Sequence, residues 1–135
     1  MNIVMENLIL EKKSRLDFSK TVDTIVKTAT DRGWSNPAIH NMQESLAKSD
    51  KHVKPVKVIE ICKPEFSGKM LELNDERIMS VMMPCRISVY EKNDGKTYVA
   101  LLNGGLMTAG MPEIISKTMK AVADESIAIA NTVCE

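Results

Sequence analysis

The chain lacks a charge bias, a rich aromatic set and any long apolar run, and each shortage removes a class of function. Its 18 basic and 18 acidic side chains cancel. Nothing in the overall charge attracts nucleic acid or an acidic membrane surface, and neither is expected as a partner. The aromatic residues are only Phe18, Trp34, Phe66, Tyr90 and Tyr98, with no basic-aromatic pattern of the kind that stacks single-stranded bases. No apolar run approaches the ~20 residues of a membrane helix. The start, Met1-Asn2-Ile3-Val4-Met5-Glu6, has no basic region ahead of an apolar stretch, which argues against a signal peptide. Cys62, Cys85 and Cys134 are odd in number and widely spaced. A disulfide framework is therefore not expected, and a reducing cytoplasm is.

What is present is enough for one folded unit. A chain of 135 residues reads as a single domain, 1–135, and at that size buries roughly two-thirds of its unfolded surface. Residues 3–13, around Leu8-Ile9-Leu10, read as a first strand. Asp17 or Ser19 can cap the following helix, in which Val22, Ile25, Val26 and Ala29 share a face. Gly33 stands where a helix C-terminal glycine belongs. Pro37 excludes a regular central strand over 34–40, and a short helical segment is expected over Asn41 to Lys48. Val56 to Cys62 is a β-branched strand. Pro64 opens a short helix, Glu65 to Leu73.

A β-hairpin begins at Met83-Pro84-Cys85-Arg86. Asn93-Asp94-Gly95 suits a three-residue loop with glycine in the left-handed position. In that register Lys92 faces Lys96, Tyr90 faces Tyr98, Val89 faces Val99, Ile87 faces Leu101 and Cys85 faces Asn103. A two-residue loop would pair Tyr90 with Val99. The first register is preferred because it matches like with like on both faces. Gly104 to Gly110 reads as a loop, and Pro112 starts the last helix, with Ile115, Met119, Val122, Ile129 and Val133 as its apolar stripe.

The order strand, helix, four strands, helix argues for an α+β fold: a mainly antiparallel sheet with helices packed on one face. The other face must meet water or a second subunit. An exposed Tyr90/Tyr98 pair would make it a dimer surface, and the zero net charge favours self-association.

Three segments carry a family resemblance. Val58-Ile59-Glu60-Ile61-Cys62-Lys63-Pro64, then Met83 to Glu91, then Asp94-Gly95-Lys96 resemble the bacterial and archaeal family called domain of unknown function 302. Gly33-Trp34 and Ile39-His40-Asn41-Met42 also fit, so the similarity runs over roughly residues 8–130. The resemblance implies a fold like the TATA-binding-protein class and a homodimer. It implies no DNA binding and no settled activity, because fold does not carry function.

The residues must then speak for themselves. Cys85 is a candidate nucleophile, yet Arg86 is its only neighbouring cation in sequence and points to the other face of a strand. The competing reading makes it a small buried hydrophobe. Twenty-two residues separate Cys62 from Cys85 and no Cys-x-x-Cys pair exists, so no metal site is expected. His40 is a candidate general base or else a surface residue. Glu60 interrupts an apolar run on the face of Val56, Val58 and Cys62 and is either a shifted carboxylate or half exposed. Asn103 either holds a ligand beside Cys85 or satisfies backbone at the strand end. Met79, Met82, Met83, Met107, Met111 and Met119 line either an adaptable pocket or the core.

The reading that gathers these is a small-molecule-binding or interaction module acting as a homodimer. It takes an apolar ligand near Cys85, Asn103, Met83 and Met107. The alternative is a small enzyme with Cys85 as nucleophile, aided by His40 or Glu60.

Overall fold

The computed structural model describes residues 2–4 and 8–135. Six strands form one antiparallel sheet in the order β1-β2-β6-β5-β4-β3: β1 Asn2–Val4, β2 Ile9–Lys13, β3 Ile39–Asn41, β4 Val56–Ile61, β5 Cys85–Glu91 and β6 Thr97–Leu102. Helix α1 (Phe18–Asp31) follows β2, and α2 (Met42–Ala47) follows β3. Helix α3 (Pro64–Leu71) follows β4 and leads into a 3-10 segment, Asp75–Met82. The short α4 (Gly104–Met107) and the long α5 (Glu113–Asn131) close the chain. The α+β class is as expected.

The hairpin register is the one chosen by matching side chains: Ile87 opposite Leu101, Val89 opposite Val99, Tyr90 opposite Tyr98. Gly95 takes φ 75°, and Lys92 N–H donates to Lys96 O at 3.1 Å, so the turn works as its sequence indicates. Asp17 is the α1 cap, accepting from Lys20 N–H at 2.8 Å. Asn41 caps α2 in the same way, through Glu44 N–H at 3.0 Å.

Alternation along the strands separates two faces. One buries Leu10, Ile59, Ile61, Ile87, Val89, Val99 and Leu101. Against it pack Val22, Ile25 and Ala29 of α1 and Val122, Ile129 and Ala130 of α5. A second cluster of Met70, Met79, Ile115 and Met119 joins α3 and the 3-10 segment to α5. The opposite face, uncovered by α1 and α5, presents Val56, Val58, Glu60, Ser88, Ala100 and Leu102.

Three expectations need correction, and one segment was not anticipated. The predicted strand over 3–13 is two strands, β1 and β2, paired antiparallel with Ile3 opposite Leu10; residues 5–7 lie outside the described residues. The predicted loop from Gly104 begins as α4, because Asn103 caps it, accepting from Leu106 N–H at 3.4 Å. Residues 75–82 form a 3-10 segment that no apolar period announced. Tyr98 is not exposed: it is buried beneath the Lys92 ammonium, 4.1 Å from the ring centroid, and stacks on Tyr90 at 6.3 Å.

Candidate functional site

The ends of β4 and β5 meet α3 and α5 around a cavity of about 380 Å³. Each wall has a local cause. Pro64 at the first turn starts α3 with its φ preset, and Glu65 meets the positive helix end. One helical turn apart, Phe66 and Met70 then face inward. Met119 and Val122 of α5 form the facing wall, and Met82, Met83 and Pro84 lie over the strand ends. The Met83–Pro84 peptide is cis.

Cys62 and Cys85 both line this cavity. Cys85 is the first residue of β5 and pairs with Ile61, the last residue of β4, which Cys62 directly follows in the chain. Cys62 itself lies past the end of β4 and bridges to Ser35, whose N–H donates to Cys62 O at 2.8 Å. The alternation that put Cys62 on the Glu60 face stops with β4 at Ile61. Burial first, then the nearby Cys62 thiol, push the Cys85 thiol up to about 11.

The rim is polar. Glu125 Oε1 accepts from the Trp34 indole N–H at 3.0 Å and from Lys63 Nζ at 3.0 Å. Lys63 also donates to Arg32 O at 3.1 Å and lies 5.8 Å and 5.4 Å from the Trp34 and Phe66 ring centroids. A smaller cavity of about 160 Å³ adjoins the first. Met82, Pro84, Cys85, Met119 and Val122 line both, so Cys85 stands in the partition between them.

The predicted site residues divide. Cys85 and Met83 come together in the main cavity, and Met107 lines the smaller one. Asn103 lines neither: its side chain caps α4, its N–H donates to Leu8 O at 2.8 Å, and it borders a separate shallow groove with Gly105 and Leu106. His40 and Glu60 join each other, Nε2 to Oε2 at 2.7 Å, on the uncovered sheet face. Alternation puts them on the opposite side of the sheet from Cys85. Burial holds the Cys85 thiol above its ordinary value, the opposite of the lowered pKa that activates a thiol, and among the described residues no imidazole or carboxylate lines its cavity. Trp34, Phe66, Lys63 and Glu125 were not singled out from the sequence. Trp34 and Phe66 are two of only five aromatic residues, a scarcity that could have marked them.

Among the described residues no three of His, Cys, Asp and Glu gather as a metal site, and no helix is long and apolar enough to cross a membrane. The family model described as domain of unknown function DUF302 matches residues 10–133. No curated protein matches the chain. The crystal structure of an uncharacterized conserved protein DUF302 from Bacillus stearothermophilus matches with a TM-score of 0.84 at 15% identity, over 95% of this chain and 98% of that one. At that identity the likeness speaks for the fold.

Proposed function

The chain belongs to the DUF302 family, and from that premise, which brings no activity of its own, we propose that it is a small-molecule-binding module holding an apolar, polarisable ligand in the cavity between the sheet and α3 and α5. The cavity itself carries the reading. Its volume of about 380 Å³ lies within the usual range for ligand sites, and its lining is sulfur, aromatic and aliphatic with a few polar groups at the rim. Methionines on several sides let the walls adapt to a flat ligand, and thioethers pack well against aromatic rings. Native mass spectrometry of gently purified protein, followed by titration with an environment-sensitive apolar dye, tests it. Saturable binding that is lost in Met83→Trp, which fills the cavity, is the expected result. No binding, or equal binding by the variant, overturns it.

A second copy of the chain is the partner we propose for the uncovered sheet face. Half-buried Val56, Val58 and Ala100 and the exposed Leu102 support it, as does Glu60 lying opposite Arg86, which gives the face both signs of charge. Light scattering at micromolar concentration is expected to give twice the chain mass, and Val58→Lys the monomer. A monomeric parent protein defeats this reading. Three free cysteines accord with placement in a reducing cytoplasm.

A further inference from the structure

Six of the fifteen side chains around the main cavity carry sulfur: the thiols of Cys62 and Cys85 and the thioethers of Met70, Met82, Met83 and Met119. They reach it from four parts of the chain. Cys62 and Cys85 stand at the ends of paired strands, Met70 projects from α3, Met82 and Met83 from the end of the 3-10 segment, and Met119 from α5. Among the described residues no carboxylate or imidazole lines the cavity. Glu125, which bonds to the lining residues Trp34 and Lys63, is already held by them.

That donor set has a chemical preference. Zinc takes four ligands, usually thiolate with imidazole or carboxylate. Two thiols without any such partner fall short of it. Soft cations differ: thiolate and thioether sulfur select Cu(I), a closed-shell ion content with few ligands. An apolar enclosure also keeps water from competing for the ion.

We propose that the cavity is a Cu(I) site, with the sulfurs of Cys62 and Cys85 as ligands and the surrounding thioethers completing a sulfur-only shell. Each coordinating thiol gives its proton to solvent as the Cu–S bond forms, and the metal keeps its oxidation state throughout. The inference needs no organic ligand and stands apart from the small-molecule reading, although both use one cavity.

The test is an anaerobic titration of the full chain with Cu(I) against a chromogenic Cu(I) chelator. One Cu(I) per chain is expected. Cys62→Ser and Cys85→Ser should each weaken binding by about 100-fold, near 2.7 kcal/mol. Cys134→Ser should bind as the parent does, since Cys134 is buried beside Ser14, away from the cavity lining. Circular dichroism checks that each variant folds. Should Cys85→Ser not fold, the half-buried Cys62 carries the test. Failure to bind Cu(I), an equal loss in Cys134→Ser, or Zn(II) binding of equal strength through the same cysteines would overturn the proposal. Apolar-dye binding measured in parallel separates the two readings. Dye bound without Cu(I) sinks the metal site alone, whereas a Cu(I)-loaded chain that rejects the dye supports it.

Discussion

Lys63 Nζ lies 3.0 Å from Glu125 Oε1, the same oxygen that accepts the Trp34 indole proton. Both side chains are largely removed from water, at 17% and 28% exposure. Such a pair is costly to break from one side, because the remaining charge loses its partner but not its burial. Glu125→Leu should cost about 1–3 kcal/mol, and Lys63→Met added to it should recover part of that loss. Urea unfolding of the two single variants and the double variant measures this. Strictly additive losses would show that the pair is not coupled.

Trp34 is the chain's single tryptophan, lines the main cavity and is 3% exposed. Its fluorescence therefore reports on the proposed site without a label. An aromatic ligand entering the cavity should quench or shift the emission along the same isotherm as binding. A ligand that binds without disturbing Trp34 is bound somewhere else.

Two glycines in helices should respond in opposite directions to alanine. A Cβ on Gly104 would lie 3.1 Å from the Met119 carbonyl oxygen, a backbone atom of α5 that cannot step aside. On Gly68 it would meet only the flexible end of Glu72 at 3.5 Å. Gly104→Ala should destabilise by about 1–3 kcal/mol through overpacking. Gly68→Ala should stabilise by about 0.5–1 kcal/mol by removing helical glycine. Thermal unfolding of both decides, and a stabilised Gly104→Ala would mean that α4 does not press on α5.

The same contrast explains what the sequence could reveal. The β5–β6 register was legible because Val89 with Val99, Ile87 with Leu101 and Tyr90 with Tyr98 match only when the turn has three residues. Asp17 and Gly95 were legible because their roles are local. The break between β1 and β2 was not, since no glycine or proline marks it. Asn103 stayed open between two readings because an amide that satisfies backbone and one that holds a ligand look alike in sequence; the structure shows it capping α4. The meeting of Cys62 with Cys85 depends on β4 pairing with β5, a long-range choice no spacing records. Glu60 and His40 were candidates as separate residues; only the pairing of β3 with β4 brings them together and, by alternation, away from Cys85.

Glu11 sets an acid limb of stability. Burial alone would raise its carboxyl, but hydrogen bonds from Lys92 at 2.8 Å and from the Tyr90 hydroxyl outweigh it and hold the group below its ordinary value. A carboxyl lowered by folding stabilises the protein above its unfolded pKa, and that stabilisation fades as pH falls through the folded value. Stability should therefore decline on acidification below about pH 4.3, where an unfolded glutamate begins to take its proton. Glu11→Gln should flatten part of this decline and lower stability at neutral pH. An unchanged pH profile in the variant would remove Glu11 from the account.

Cys85 should prove a sluggish thiol. With its pKa raised from about 9 to about 11 by burial and by Cys62, the folded protein holds it protonated at pH 8. The thiolate is the reactive form, so alkylation should run about 100-fold slower than in the denatured chain and keep accelerating beyond pH 9. The same shift works on stability with the opposite sign to Glu11. Between about pH 9 and 11 the unfolded thiol ionises while the folded one does not, so this contribution is lost as pH climbs. Iodoacetamide labelling read peptide by peptide measures the first effect, and unfolding across the alkaline range in Cys85→Ser the second. Rapid labelling of native Cys85 at neutral pH would support the nucleophile reading instead. Slow labelling that stops altogether once Cu(I) is added would place the metal on this sulfur.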